Sequence, residues 1–283
     1  MSQPFTIQAH PDLVLDLQDG GLRQIYFQGA PMLYVDLSVF PKKNKKYFGQ
    51  FIAPVAGRIK GGTLEGFRFE PNENGNALHS SNHLLSFKDY SSCIKTNSDG
   101  ICVEFCRNDV YFGAQCTAKA RYVLDKEKPR FTMELSFVCD KDVPCNLTNH
   151  CYFSLGENDV SKVALKMPST HVMAYDKELI PLGYVPAQGR FDFRKGRYLS
   201  FPMDHAFHLE EGIVKAWTDK VLLNVKSNAR DVVIYLDPIS GKPLSGQSGF
   251  TLEFAHFPLL GKEMILPAKT EHLLRIEYEF KAC

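Results

Sequence analysis

Alternation of apolar and polar residues with a period of two recurs through most of this chain. It is clearest at residues 101–106, 117–124, 131–138, 232–236 and 273–280. Because successive side chains of a β-strand point to opposite faces, this period is typical of strands with one buried and one exposed face. Long stretches with the period of an amphipathic helix are missing. The sequence therefore predicts an all-β fold in which antiparallel sheets stack as a large β-sandwich.

Nothing in the sequence divides the chain into separate units. Its 283 residues are 44% hydrophobic, which is enough for a sizeable core. Turn residues separate the alternating runs at short intervals, as at 97–100 and 125–129. No linker, repeat or low-complexity segment interrupts this pattern. We therefore expect a single domain over residues 1–283.

The charge of the chain gives no reason to expect nucleic acid or a membrane as a partner. Lys and Arg number 33 against 32 Asp and Glu, so no overall field attracts polyanions. The basic run Lys42, Lys43, Lys45 and Lys46 is short and has no interleaved aromatic residues, which predicts a solvated loop. No apolar stretch approaches the roughly 20 residues of a membrane span, and the N-terminus lacks a signal-peptide pattern. We expect a cytoplasmic protein.

The cysteine pattern predicts reduced thiols. No two cysteines form a CxxC pair, metal-site spacing is absent, and most lie in strand-like runs where a thiol serves as a small core residue. We therefore expect neither disulfides nor a metal site. The eight cysteines are Cys93, Cys102, Cys106, Cys116, Cys139, Cys145, Cys151 and Cys283.

Two ionisable residues stand inside apolar, strand-forming segments. His150 lies in Asn-Leu-Thr-Asn-His-Cys-Tyr-Phe-Ser-Leu at 146–155, and Glu253 lies in Leu-Glu-Phe-Ala-His-Phe-Pro at 252–258. One group that starts near neutral pKa and one carboxyl whose pKa burial raises can give and take protons near neutral pH. Placed on stiff elements, they form a minimum set for general acid–base catalysis.

Several segments resemble the aldose 1-epimerase family, also called galactose mutarotase-like, in order and through nearly the whole chain. The segment around His150 is highly specific, and the others support it through their order and spacing. The matching segments are residues 57–62, 78–79, 146–155, 179–183, 191–194, 204–207, 252–253 and 257–258.

This resemblance implies a β-supersandwich fold and an isomerase that interconverts the α and β anomers of an aldose hexose. It implies Glu253 as general base, His150 as general acid, and Arg58, His79 and Asp204 as sugar contacts. It implies a small-molecule sugar substrate, with neither cofactor nor metal. We further expect a monomer or a weak homodimer.

The chemistry of anomer exchange requires the same residue types. The C1 hydroxyl loses a proton, the ring oxygen gains one, and the ring opens to an aldehyde that can rotate and reclose on either face. Two opposed proton-transfer groups suffice for this. The planar charged donors of Arg58 and the acceptor oxygens of Asp204 suit hydroxyls on the two edges of a sugar ring.

Three departures from the family pattern affect sugar contacts. Gly57 stands where the family commonly has Asn, Ser80 and Ser81 follow His79 in place of two glycines, and the turn at 237–243 lacks the family's glutamine. The specificity set is therefore altered, although the acid–base pair is retained. We expect weak discrimination between sugars that differ at one ring hydroxyl.

Two other functions stay open at this point. One is a catalytically idle sugar-binding or regulatory module on the same scaffold, suggested by the altered contacts. The other is epimerisation of a phosphorylated or otherwise modified hexose. An anionic sugar would need extra cations near the site, and Lys60, Arg68 and Lys242 are the candidates.

Overall fold

The structure is a computed structural model that describes residues 3–38, 46–85, 88–96, 98–200, 202–236, 249–256 and 261–283. In chain order its strands begin with β1 (Phe5–His10), β2 (Leu13–Gln18), β3 (Gly21–Phe27), β4 (Ala30–Pro31), β5 (Phe51–Ile52), β6 (Arg58–Ile59), β7 (Thr63–Leu64), β8 (Phe67–Arg68), β9 (Ala77–Leu78), β10 (Ser91–Thr96), β11 (Gly100–Tyr111), β12 (Ala114–Asp125), β13 (Arg130–Cys139) and β14 (Val143–Pro144). They continue with β15 (Thr148–Asn149), β16 (Tyr152–Phe153), β17 (Ala164–Lys166), β18 (Ser169–Tyr175), β19 (Pro181–Pro186), β20 (Arg197–Tyr198), β21 (Met203–Leu209), β22 (Ile213–Trp217), β23 (Val221–Ser227), β24 (Asp231–Leu236), β25 (Phe250–Thr251), β26 (Glu253–Ala255), β27 (Ile265–Leu266) and β28 (Glu271–Ala282). Short 3₁₀ turns lie at Lys60–Gly62, Ser81–His83, Val160–Lys162, Gly189–Phe191 and Lys262–Met264.

The predicted all-β fold is confirmed, and a nine-stranded sheet forms its largest part. Its strand order is β10-β11-β12-β13-β28-β23-β22-β17-β20, and every pair is antiparallel. The alternating runs at 101–106, 117–124, 131–138 and 273–280 lie in β11, β12, β13 and β28. Their apolar positions share one buried face, as the period of two predicts.

A four-stranded sheet, β1-β2-β3-β4, packs on the buried face of the large sheet. Phe5 stacks on Phe105 with ring centroids 5.8 Å apart. Phe27 stacks on Phe280 at 5.6 Å. The hydroxyl of Tyr122 donates a hydrogen bond to a carbonyl of the β2–β3 turn at 2.8 Å, so this buried phenol is satisfied. These contacts form the core of the sandwich.

A five-stranded sheet and several very short ladders form another region of the molecule. The five-stranded sheet has the order β19-β18-β21-β24-β26. The two-residue ladders next to it pair β5 with β15, β6 with β9 and β16 with β25. The predicted alternating run at 232–236 lies in β24. Because each short ladder has few backbone bonds, its residues depend on side-chain contacts for their positions.

The prediction of reduced thiols throughout is wrong for one pair. Cys116 on β12 stands directly opposite Cys139 on β13, with Cα atoms 4.1 Å apart, and the two form a disulfide. Both side chains point to the buried face, so the antiparallel register brings the sulfur atoms together. The sequence spacing did not reveal this, because the two residues become neighbours only across a strand pair. Cys93, Cys102, Cys106, Cys145, Cys151 and Cys283 are free.

Within the described ranges, none of the helical segments is long and apolar enough to cross a membrane. Of the predicted basic loop, Lys46 is described and is exposed. Lys42, Lys43 and Lys45 lie outside the described residues, as does the turn at 237–243.

Candidate active site

A cavity of about 280 Å³ opens between the five-stranded sheet and the short ladders. Its wall includes all five residues predicted to form the site. These are Arg58, His79, His150, Asp204 and Glu253. The structure therefore brings together side chains that are spread over almost 200 residues of sequence.

Glu253 begins β26 and is buried, with 5% of its surface exposed. It is therefore not an outward-facing strand residue. The hydroxyl of Thr251 donates a hydrogen bond to its Oε1 at 2.9 Å. Burial raises the pKa of Glu253 to about 8, and the Thr251 hydrogen bond opposes this shift only in part. The carboxyl is therefore mostly protonated in the unliganded protein at neutral pH.

His150 lies between β15 and β16 and not within a continuous strand, so the predicted stiff strand around it is wrong. Its backbone is held instead by an irregular segment, because its N–H donates to Gln50 O and its carbonyl accepts from Gly49 N–H, both at 2.9 Å. Its ring is buried, and among the described residues its Nδ1 has no hydrogen-bond partner. Burial lowers the pKa of His150 to about 3.

His150 and Glu253 form a pair that shares one proton. Nε2 of His150 lies 3.4 Å from Oε1 of Glu253. Because their pKa values lie near 3 and 8, the pair holds one proton over the pH range between them. That proton can reside on the carboxyl or on the imidazole without any exchange with solvent, so the pair can present a base and an acid at the same time.

Arg58 joins two carboxylates at one side of the cavity. Its Nη1 donates to Oδ2 of Asp204 at 3.1 Å, and its Nε donates to Oε2 of Glu73. The side chain is 17% exposed and the Asp204 side chain is 23% exposed. The pKa of Arg58 is raised because the two carboxylates outweigh the effect of its burial. Arg58 is thus a fixed cation within the site and not a surface turn residue.

His79 lies in a left-handed backbone conformation, with φ of 49°. Its N–H donates to Gly57 O at 3.1 Å, and the Gly57 N–H donates to Nδ1 of its ring at 3.3 Å. Because Nδ1 accepts, the neutral ring carries its proton on Nε2. Burial lowers the pKa of His79 well below the usual value, and His150 and Arg58 lower it further. His79 is therefore a neutral donor.

Ser80 fixes the turn that carries His79. It is fully buried with φ of 64°, and its hydroxyl both accepts from Val55 N–H at 2.7 Å and donates to Val55 O at 2.9 Å. A side chain thus satisfies two buried backbone groups that no strand pairs. Ser81 is also left-handed, with φ of 48°. Ser80 therefore has a structural role at a position where the family pattern has glycine.

Other lining residues were not predicted from the sequence. Tyr47 packs edge-on against His79 with ring centroids 4.8 Å apart, and Tyr152 packs against His150 at 5.2 Å. Glu73 comes from a turn with no distinguishing pattern. Asp231 and Tyr235 share one face of β24, which the period of two would have predicted.

The cations proposed for an anionic sugar do not surround the cavity. Among the described residues, Lys46 lines its wall, and Lys60 and Arg68 do not. Lys242 lies outside the described residues. Epimerisation of a phosphorylated hexose therefore stays a prediction without direct support from Lys60 or Arg68.

Three lining residues have the types that bind a metal ion. The ligand atoms of His79, His150 and Glu253 all lie within 4.8 Å of one another. A cation at this place would occupy the carboxylate and the imidazole that acid–base chemistry needs. A resident metal and the acid–base pair are therefore alternatives at this site, and a chelator distinguishes them.

Comparison with known proteins agrees with this geometry. The sequence profile of the family described as aldose 1-epimerase matches residues 29–264. Galactose mutarotase of Rattus norvegicus is 27% identical over 255 residues, which cover 76% of this chain and 72% of that protein. Galactose mutarotase of Sus scrofa is 26% identical over 261 residues, covering 80% and 74%.

Solved structures show the same fold. The galactose 1-epimerase of Lactobacillus acidophilus NCFM superimposes with a TM-score of 0.89 at 21% identity, covering 99% of this chain and 94% of that one. A GalM/aldose epimerase homologue from C. elegans superimposes with a TM-score of 0.84 at 18% identity, covering 99% of both chains.

Proposed function

The chain belongs to the aldose 1-epimerase family, isomerases that interconvert the anomers of aldoses, and from this premise we propose how its own residues carry the reaction and on which sugar. The substrate is a free hexose of the galactose or glucose type. Glu253 is the general base at the C1 hydroxyl and His150 is the general acid at the ring oxygen. Arg58, His79 and Asp204 bind the sugar.

The observation that carries this proposal is the close pair of Glu253 and His150 in a cavity of monosaccharide scale. Ring opening moves the C1 hydroxyl proton to Glu253 while His150 donates a proton to the ring oxygen, and the C1–O5 bond breaks. Ring closure on either face of the aldehyde reverses both transfers. A binding protein has no use for two opposed proton-transfer groups, so the idle-module alternative leaves this pair unexplained.

The bound sugar must draw the shared proton from the carboxyl to the imidazole. In the unliganded protein burial favours the neutral arrangement, with the proton on Glu253. A C1 hydroxyl that donates to the carboxylate and a ring oxygen that accepts from the imidazolium both favour the ionised arrangement. The bound sugar thus stabilises the ionised form of the pair, in which Glu253 accepts a proton and His150 donates one.

The test is anomer exchange followed by NMR on glucose, galactose and their 6-phosphates, with and without EDTA. We expect faster exchange for at least one free hexose, unchanged by EDTA. Glu253→Gln is the matched control, because it keeps the shape of the side chain and removes the base. Sugar binding without exchange would favour the idle module, preference for a 6-phosphate would favour the modified-hexose reaction, and loss of activity in EDTA would favour a metal.

A further inference from the structure

One further carboxylate of the cavity is used neither by the acid–base chemistry nor by the predicted sugar contacts. Asp231 begins β24 and is 7% exposed. It shares the cavity-lining face of that strand with Val233 and Tyr235. A buried carboxylate is costly unless its oxygens are satisfied. Its retention at the wall of a sugar-sized cavity therefore needs an explanation.

Asp231 is held through one oxygen. Its Oδ1 accepts hydrogen bonds from the hydroxyl of Tyr184 and, at 2.9 Å, from Nδ1 of His208. Burial and the nearby carboxylate raise the pKa of Tyr184, so this phenol remains a donor. No described residue donates to Oδ2, because both hydrogen bonds to this side chain end on Oδ1. The carboxylate is thus fixed in position with one acceptor oxygen available.

The sheet register places Asp231 beside the reacting end of the site. Val233 on β24 is opposite Glu253 on β26, and Asp231 is opposite Ala255. Asp231 and Glu253 are therefore diagonal neighbours, about 7–8 Å apart. That separation allows one monosaccharide to contact both side chains, because each extends toward the cavity.

The segments on the two sides of β26 indicate which sugar hydroxyl lies near Asp231. The segment of His150 runs along one side of β26, where Thr148 Oγ1 donates to Phe254 O at 2.8 Å. Asp231 lies on the other side, on β24. If His150 protonates the ring oxygen, the neighbour of C1 on the opposite side is C2. Asp231 is thus placed toward the C2 hydroxyl.

Asp204 cannot make the same contact. It is opposite Tyr235, four residues along β24 from Asp231. Four residues of a strand span about 13 Å. The two carboxylates therefore meet different parts of the ligand.

We propose that Asp231 is a sugar-binding residue that accepts a hydrogen bond from the C2 hydroxyl, with Tyr184 and His208 as its positioning residues. This inference rests on the proposed mutarotase function. The Asp231 contact would add specificity to a site in which Gly57 lacks the side-chain contact that the family's Asn provides. It also predicts discrimination against sugars that lack or modify the C2 hydroxyl.

The test compares wild type with Asp231→Asn on the better hexose and on its 2-deoxy analogue. A hydrogen bond to a charged group contributes about 1.5–3 kcal/mol, so KM for the hexose should rise at least about tenfold. We expect kcat to stay within about twofold, because proton transfer is retained. On the 2-deoxy sugar, which has no hydroxyl to donate, variant and wild type should have the same KM.

Two further variants separate binding from structure. Tyr184→Phe removes one hydrogen bond to Asp231 and should raise KM in the same direction by a smaller factor. Asp192→Asn is the matched control, because Asp192 is paired with Arg194 and does not line the cavity. It should change neither constant, and all three variants should be checked for an unchanged melting temperature.

The outcomes are distinguishable. An equal rise in KM for both sugars, or no change for either, would overturn the role of Asp231 while leaving the proposed function intact. A wild type that exchanges the anomers of no sugar would overturn the proposed function, and the Asp231 inference with it.

Discussion

The nine-stranded sheet and the ladders around the cavity use polar residues in opposite ways. Among the described residues in the strands of that sheet, Ser136 is the single buried side chain of polar or charged type. The short segments at 146–154 and 251–253 instead bury seven, namely Asn146, Thr148, Asn149, His150, Ser154, Thr251 and Glu253. The large sheet is thus stabilised by apolar packing in a regular register, and the cavity side by specific hydrogen bonds between irregular segments.

This difference shows where stability and chemistry are separated in the molecule. Long ladders need no side chain to hold the backbone, so their buried faces can be almost entirely apolar. Two-residue ladders leave backbone groups that side chains must satisfy, as Ser80 does for Val55. The short ladders and irregular segments around the cavity thus hold buried ionisable groups with side-chain hydrogen bonds and not with regular strand pairing. Changes in the two regions should therefore affect different measurements.

The largest expected effect is on catalysis. Glu253→Gln and His150→Asn each remove a proton-transfer group and should lower kcat by about 10²–10⁴-fold. Urea midpoints should not fall below the wild-type value, since neither residue belongs to the apolar core of the large sheet. Anomer exchange at saturating sugar measures the first effect, and near-wild-type turnover in either variant would show that its assigned role is wrong.

A substitution in the large sheet should have the reverse pattern. Leu274 on β28 is fully buried opposite Leu135. Leu274→Ala should lower the free energy of unfolding by about 2–5 kcal/mol, because it leaves a cavity in a packed core. At a temperature where the variant is folded, kcat should be retained. A large fall in kcat of the folded variant would contradict the separation of the two regions.

The turn at Ser80 tests the region where stability and function meet. Ser80→Ala leaves Val55 N–H and O unsatisfied and should cost about 1–3 kcal/mol in urea denaturation, with a higher KM because His79 shifts. Ser80→Gly removes the same hydroxyl but adopts a positive φ without strain, so it should be the milder variant. Equal losses in both would show that the backbone conformation contributes nothing.

The pH profile should show the smallest effect, confined to the cavity. Glu253 and His150 share one proton between about pH 3 and 8, and above this range the pair has no acid. The value of kcat/KM should therefore be flat from about pH 5 to 7 and fall about tenfold between pH 7 and 9. Rates of anomer exchange measured across this pH range test the predicted profile. A rate that rises through pH 8 would show that Glu253 acts ionised while water supplies the acid.

The same pair predicts how stability depends on pH. The pKa of Glu253 is raised from 4.5 to about 8 by folding. Its contribution to the free energy of unfolding is therefore fully present below the pKa of the unfolded state and is lost as the pH rises toward 8. Glu253→Gln should therefore raise the melting temperature more at pH 9 than at pH 5.

The sequence was sufficient for the long strands and for the residues that meet in the cavity. The period of two placed the runs at 131–138 and 273–280 in strands because each has one face in a continuous core. The motif around His150 and the segment of Glu253 identified two groups that the structure places 3.4 Å apart. Their chemical roles remain predictions.

The remaining features depend on pairings that no local pattern encodes. The Cys116–Cys139 disulfide and the contact of Tyr184 and His208 with Asp231 arise from register between strands. Glu73 reaches Arg58 from a turn. His150 was expected on a continuous strand, but its backbone bonds run to Gly49 and Gln50 in an irregular segment.

The shared proton of Glu253 and His150 has a consequence for the electrical balance of the cavity. Before ring opening the pair carries one negative and one positive charge, and afterwards it carries none, so its net charge is the same at every stage. The proton taken from C1 and the proton given to the ring oxygen both return when the ring closes. Each turnover therefore leaves the cavity ready for either anomer, and no buffer molecule has to reach two side chains that are each 5% exposed.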